Sequence, residues 1–160
     1  MKKQKGFSLI ELLIVVAIIL IIAAIAIPNL MRSKMAANES SAVGSLRTIN
    51  TAMVTYSNNY PTIGYSATLA SLGGAPATCA TATGAVSTGA CLIDNVLAQG
   101  TKSGYNFTAA NGGQTPAVTY TSSATPVAPG QSGTRYFCSD QSGVIYWFTA
   151  ACTAANGTPL

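Results

Sequence analysis

Residues 1–27 read MKKQKGFSLIELLIVVAIILIIAAIAI and decide how this chain folds. The first six residues include three lysines, and sixteen unbroken apolar residues run from Leu12 to Ile27. As a helix, the 21 residues from Phe7 to Ile27 would be about 32 Å long, close to the thickness of the hydrocarbon core of a bilayer. The segment therefore predicts one membrane-spanning helix, in which the backbone satisfies its own hydrogen bonds.

The charges that flank this segment predict its direction. Lys2, Lys3 and Lys5 precede it, so the positive-inside rule places the N-terminus in the cytoplasm. Arg32 and Lys34 follow the segment and weaken this bias without reversing it. We therefore expect the C-terminal part of the chain to face outward.

Glu11 is the one carboxylate inside the apolar segment. A charge in a membrane helix costs about 2.5–3.5 kcal/mol on insertion scales, although the helix start favours a negative charge. A cut between Gly6 and Phe7 would create a cationic amine at Phe7. Glu11 could pair with that amine in a neighbouring copy and set the axial register of packed helices. An intrachain pair of the same two groups, and a carboxylate that reaches the lipid headgroups, are the alternatives.

An ordinary secretory signal peptide is the competing interpretation of this segment. Ala24-Ile25-Ala26 offers the small residues of a signal-peptidase site, and its cleavage would release a soluble binding module. The apolar run is longer than the usual signal sequence and contains Glu11, which favours retention in the membrane. The first residue of the mature protein, Phe7 or Ile27, distinguishes the two interpretations.

A helical pattern continues beyond the apolar segment. Apolar residues recur at spacings of three and four, which is one face of a helix that packs on a core: Leu46, Ile49, Met53, Tyr56 and Tyr60. The same stretch of the chain supplies polar positions: Arg32, Lys34, Glu39 and Arg47. We predict a helix from about Phe7 to Asn58, which Pro28 kinks because proline lacks the backbone N–H.

The remainder of the chain predicts a small antiparallel sheet. Four segments alternate in the manner of strands: Tyr105–Ala109, Ala117–Thr121, Arg135–Ser139 and Val144–Thr149. Pro126, Pro129 and Gly130 separate the two hairpins that these strands would form. A four-stranded meander that covers the apolar face of the helix gives an α+β fold with a single head domain.

The connecting segments carry weaker patterns. Residues 67–72 are compatible with a short helix or a turn, and the Ala-, Thr- and Gly-rich residues 73–90 with a surface loop. The segment Cys91–Leu97 is compatible with either a helix or a strand.

Four cysteines lie in the part of the chain that is predicted to be exported. An even number there indicates disulfides, for which sequence allows three pairings. We favour nearest neighbours, Cys79 with Cys91 and Cys138 with Cys152, each contributing about 3 kcal/mol in the chain-entropy model. A zinc site is disfavoured because the chain has no histidine and no C-x-x-C motif.

Charge and composition limit the functional classes. The formal charge is +4, but removal of residues 1–6 takes away three lysines and leaves +1. The rest of the chain has no basic stripe, so we expect no specific nucleic-acid site. Without histidine, Ser–His and Cys–His nucleophiles are excluded, and we expect neither an enzyme nor a cofactor.

The motif Gly6-Phe7-Ser8-Leu9-Ile10-Glu11-Leu12 resembles the N-terminal signature of type IV prepilins and type II secretion pseudopilins. The resemblance implies that a prepilin peptidase cuts after Gly6 and methylates the new amine of Phe7, and that Glu11 assists assembly. Pro28 matches the proline of the family's helix. A Cys138–Cys152 bond would be similar to the C-terminal disulfide loop of many type IV pilins.

The same resemblance implies a division of the chain and a function. Residues 1–6 would be the leader, 7–28 the membrane and assembly helix, 29–58 its amphipathic continuation and 59–160 a pilin-like head. The subunit would wait in the bacterial inner membrane with its head in the periplasm. Pilus assembly machinery would then add it to a helical filament of identical subunits. Adhesion and twitching motility are functions of the family, and no residue here selects between them.

The alternative within the same resemblance is the major pseudopilin of a type II secretion system. Tyr60-Pro61-Thr62 after the helix is similar to that group. Many such pseudopilins carry a calcium site made of clustered acids near the C-terminus. Here only Asp140 lies in that region and four cysteines are present, so we favour the pilin.

Overall fold

The computed structural model describes residues 7–74, 79–80, 85–152 and 157–160. Its longest element is helix α1, Leu9–Asn59. The helix predicted from Phe7 to Asn58 is thus confirmed to within two residues at each end. Pro28 lies inside α1, and the kink expected there stays a prediction. The described chain divides into two compact units between Lys34 and Met35, within α1. The division into residues 7–28, 29–58 and 59–160 stays a prediction.

Two one-turn helices follow α1 within the described residues. Helix α2 spans Leu69–Leu72, and helix α3 spans Asn95–Ala98. The Thr68 hydroxyl accepts a hydrogen bond from the backbone N–H of Ser71 at the start of α2, and Asp94 caps α3 in the same way. The sequence left the type of element open for residues 67–72 and for Cys91–Leu97, and each of these segments contributes to a capped one-turn helix. Part of the surface loop predicted at 73–90 lies outside the described residues.

The described part of the head contains one antiparallel sheet in the order β1-β2-β3-β4-β5-β6. Its strands are β1 Thr101–Lys102, β2 Tyr105–Asn111, β3 Tyr120–Pro126, β4 Tyr136–Asp140, β5 Ile145–Phe148 and β6 Thr158–Pro159. Every strand pairs with its neighbour in sequence, so the sheet is a meander. The α+β class and the antiparallel head are therefore confirmed.

The third strand corrects the sequence prediction. The strand expected at Ala117–Thr121 begins at Tyr120 and extends to Pro126, where it pairs with all seven residues of β2. Ala117 instead forms an isolated parallel bridge with Gly64, whose positive φ of 81° brings the backbone against it. The sequence prediction was wrong because the residues of β3 that face inward, such as Ser122 and Ala124, are small and weakly apolar.

The edges of the sheet and Pro126 also differ from the prediction. Pro126 ends β3 instead of separating the hairpins, a position that proline tolerates because its missing N–H lies at the strand end. The two-residue strands β1 and β6 extend the predicted four-stranded meander to six. Strands this short carry no alternation of side chains that a sequence can reveal.

The core lies between α1 and one face of the sheet. The predicted helix face is confirmed, since Leu46, Ile49 and Met53 are fully buried and Tyr56 nearly so. Each of the first three side chains contributes about 1.5–3 kcal/mol through the area it removes from water. The sheet supplies the opposing side chains: Tyr105, Phe107, Tyr120, Ala124, Phe137 and Ile145.

Candidate functional site

The N-terminal part of α1 exposes an apolar surface. In the described residues, one helix is long and apolar enough to cross a bilayer, with a mean hydropathy of 3.3 and none of that window buried. A signal sequence near the N-terminus can meet the same criterion, so length and hydropathy alone do not distinguish a membrane-spanning helix from a signal peptide. The large apolar side chains along it are 45% to 77% exposed, among them Leu9, Ile10, Leu20, Ile21 and Leu30. Such a continuous apolar surface needs lipid or protein to cover it.

The carboxylate half of a capping box begins α1. The backbone N–H of Ser8 donates to Oε2 of Glu11 at 2.9 Å, while the carbonyl of Ser8 accepts from the N–H of Leu12. Glutamate at the third helical position commonly satisfies the backbone N–H of a serine cap in this way. The Ser-x-x-Glu spacing that is typical of this contact is present in the sequence at Ser8 and Glu11.

The other residues of the predicted processing site are partly described. Gly6 lies outside the described residues. Phe7 is described, and 76% of its surface is exposed. Only one oxygen of Glu11 bonds within the described chain, so the carboxylate retains acceptor capacity for an amine. Cleavage after Gly6, methylation of Phe7 and pairing of its amine with Glu11 stay predictions.

Glu39 holds α1 to the loop between β3 and β4. The sequence pattern predicts Glu39 at a polar position of the helix, yet the residue is only 6% exposed. Its Oε1 accepts from the backbone N–H of Thr134 at 2.9 Å, the Thr134 hydroxyl at 3.0 Å and the backbone N–H of Arg135 at 3.3 Å. Its Oε2 accepts from Nε of Arg135 at 2.7 Å. Neighbouring Asn38 donates to the carbonyl of Ser132 at 2.8 Å, so two consecutive helix residues bind this loop.

The hydrogen bonds set the protonation of Glu39. Burial by itself raises the pKa of this carboxyl, but the donors on Thr134 and Arg135 outweigh burial and lower its pKa below the ordinary 4.5. Glu39 is therefore a carboxylate at neutral pH. The arrangement is a buried, paired charge with a structural role, and Arg135 also lies over the Phe137 ring.

A second polar contact lies farther along the same helix. Nδ2 of buried Asn50 donates to Oγ of Ser139 at 2.7 Å, and its Oδ1 accepts from Oγ of Ser122 at 3.4 Å. Because both serines are buried on the sheet, this cluster fixes the position of α1 across β3 and β4. No local sequence pattern reveals the cluster, since Asn50 lies 72 residues from Ser122 and 89 residues from Ser139.

The cysteines form two disulfides, Cys79–Cys91 and Cys138–Cys152. This is the nearest-neighbour pairing that the sequence favoured among three. The first bond closes a loop that follows α2, and the second joins β4 to the segment after β5. No group of three or more potential metal ligands occurs in the described parts of the chain.

Comparisons with known proteins agree with the apolar N-terminal helix. Residues 1–27 match the family described as the prokaryotic N-terminal methylation motif. The chain is 58% identical over 40 residues to the major component of the type IV wide pilus of Thermus thermophilus. This aligned region covers 25% of this chain and 30% of that protein. It is 46% identical over 54 residues to the type IV major pilin of Myxococcus xanthus, covering 34% and 24%.

A type II secretion system protein is also similar. The core protein G of Aeromonas hydrophila is 36% identical over 64 residues, covering 38% of this chain and 45% of that protein. The matches thus span less than half the length of these relatives, and no solved structure matches. The predicted resemblance is confirmed: the chain carries the prepilin methylation motif, and the proteins similar to it are type IV pilins and type II secretion pseudopilins.

Proposed function

We propose that this chain is a structural subunit of a type IV pilus-like filament. The observation that carries the proposal is the methylation motif over residues 1–27, followed in the structure by an apolar helix surface that the chain leaves uncovered. A structural role accords with relatives named as pilus components and with a sequence that contains no histidine. The subunit is thus inserted in a membrane before it polymerises.

Processing would prepare the helix for assembly. A prepilin peptidase cuts after Gly6 and methylates Phe7, as the motif implies. The mature amine is then one helical turn from Glu11, whose second oxygen is available to it or to the amine of another copy. Packing apolar helices together gains little over packing them in lipid, so the charged pair supplies the axial register.

The location of the subunit follows from its charges. Lys2, Lys3 and Lys5 favour a cytoplasmic leader, and the two disulfides support a head in the oxidising periplasm of a bacterium. Assembly machinery in the inner membrane then extracts the subunit into a filament of identical copies.

The type II secretion pseudopilin is the second candidate. It is favoured by the similarity to core protein G of Aeromonas hydrophila, which covers a larger share of this chain than the Thermus match does. The two candidates differ in the structure that the cell builds. Deletion of the gene would remove long surface filaments in the first case, and would abolish protein secretion without filament loss in the second.

The first experiment is mass spectrometry of the native protein. The expected N-terminus is methylated Phe7, whereas an intact leader or an N-terminus at Ile27 would refute the proposed processing. The second experiment compares Glu11→Gln with the matched substitution Glu39→Gln. We expect Glu11→Gln to prevent filament formation while the membrane pool persists, and Glu39→Gln to act on head stability instead. Normal filaments from the Glu11 variant would contradict the assembly role.

A further inference from the structure

The face of the sheet that points away from α1 forms a trough of about 740 Å³. Alternation along the strands separates its side chains from those of the core. The register aligns two cross-strand rows on this face. One row contains Thr108, Ser123, Cys138 and Tyr146, and the other contains Ala110, Thr121 and Asp140. A cavity of this size is in the range that holds small organic ligands.

The floor of the trough is made of small hydroxyl side chains. Thr108 and Ser123 share a hydrogen bond at 2.7 Å, which leaves acceptor positions on both oxygens. The hydroxyls of Thr119 and Thr121 are exposed and make no side-chain hydrogen bond to another described residue. The floor therefore offers several donors and acceptors at a spacing of about 5 Å, set by the strands.

One wall of the trough is aromatic. Tyr146 and Phe148 lie two residues apart on β5, on the same face of the sheet, and line the cavity beside the Cys138–Cys152 disulfide. Gly157 lies against the Phe148 ring with no room for a Cβ, so its backbone packs closely on this ring. Packed aromatic rings provide apolar surface at low cost in conformational entropy.

The trough contains one charge. Asp140 is the only ionisable group other than Tyr among its described lining residues. Its Oδ1 accepts from the N–H of Ser142 at 2.9 Å, and its other oxygen makes no hydrogen bond within the described chain. A trough with one acid and no base repels phosphates and carboxylates. A ligand that suits it is uncharged and carries hydroxyl donors.

We propose that this trough binds a neutral saccharide of two or three rings. Sugar hydroxyls complement the threonine and serine floor, and a pair of them can donate to Asp140, as charge-assisted bonds favour. The apolar faces of the sugar rings match Tyr146 and Phe148. This inference concerns a different surface from the N-terminal helix and does not depend on filament assembly.

The test uses the full chain in a detergent without a sugar headgroup. Cellotriose and maltotriose are titrated while backbone amide NMR shifts are followed, with the acidic trisaccharide sialyllactose as comparison. We expect at least one neutral sugar to saturate with a Kd of about 1 mM or lower, and shifts at Thr121, Ser123 and Asp140. Sialyllactose should bind more weakly.

Two matched pairs of variants locate the site. Asp140→Asn keeps the turn with Ser142 and should weaken binding about tenfold, whereas Asp94→Asn removes the same charge elsewhere and should have no effect. Thr121→Lys obstructs the floor and should abolish binding, whereas Thr48→Lys on the exposed face of α1 should not. Absence of saturation with both neutral sugars, stronger binding of sialyllactose, or equal effects within either pair would each overturn the proposal.

Discussion

Replacement of Glu39 by glutamine should destabilise the head and alter its response to acid. The variant keeps the size of the side chain and one acceptor oxygen, which can still accept from Thr134. It places an NH₂ group against Nε of Arg135, so the 2.7 Å charge-assisted bond is lost. Such a bond contributes about 1.5–3 kcal/mol. Because the Arg135 side chain is 42% exposed and can turn to water, we expect about 1.5–2 kcal/mol.

Glu39→Ala should cost more, about 3 kcal/mol. It removes the acceptor from the backbone N–H groups of both Thr134 and Arg135 and leaves space beside the helix. Asp94→Asn is the matched control, since it breaks an ion pair of the same kind with Lys102 at a surface where both side chains are partly exposed. That loss should stay below about 1 kcal/mol.

The pH dependence separates a paired carboxylate from simple packing. The folded-state pKa of Glu39 is lower than its ordinary 4.5, so protonation opposes folding. The stability that this charge contributes is fully present above about pH 4.5 and is lost as the pH falls through the folded-state pKa. The difference between wild type and Glu39→Gln should therefore shrink as the solution is acidified.

Urea unfolding followed by near-ultraviolet circular dichroism measures these quantities. Midpoints at neutral pH give the difference in unfolding free energy, and a series down to about pH 3 gives its dependence on acid. A glutamine variant within about 0.5 kcal/mol of wild type at pH 7 would refute the argument. So would a difference that does not change on acidification, because Glu39 would then act only through its shape.

Three further changes test the head by the same assay. Leu46→Ala removes a fully buried side chain and should cost about 2–5 kcal/mol, whereas Val54→Ala at a position 47% exposed should cost less than about 1 kcal/mol; similar losses would contradict the packing. Asn50→Ala removes a hydrogen-bond partner from the buried hydroxyls of Ser122 and Ser139 and should cost about 1–3 kcal/mol. An unchanged stability would contradict a stabilising role for this cluster. Replacement of Cys79 and Cys91 together by serine should cost about 3 kcal/mol, with an unchanged midpoint as the contrary result.

The helix and most of the sheet could be predicted because their patterns are local. The spacing of Leu46, Ile49 and Met53 repeats every turn of a helix, and each of these residues is buried as expected. Strand β3 was misplaced because its inward residues, Ser122 and Ala124, are small. They are small where polar Asn50 of α1 approaches the sheet, and that partner is more than 70 residues away in sequence.

Glu39 shows where sequence reasoning fails for a charge. Within the helix its neighbours are polar, so a solvent-exposed position was the natural expectation. Its partners, Thr134 and Arg135, lie 95 and 96 residues farther along the chain. One clue was available: a head with so few charged residues has little reason to keep an isolated acid and an isolated arginine unless they pair.

The two compact units make different demands on their surroundings. From Met35 onward, the described chain has an apolar core of its own and pairs its buried polar groups. The N-terminal unit buries none of its apolar window, so its partner must come from outside the chain. Lipid and other copies of the helix are equally apolar partners, and transfer between them changes hydrophobic free energy little. A carboxylate at the start of α1 is the group whose energy differs between the two environments, which is why the proposed filament depends on Glu11 rather than on the sixteen apolar residues after it.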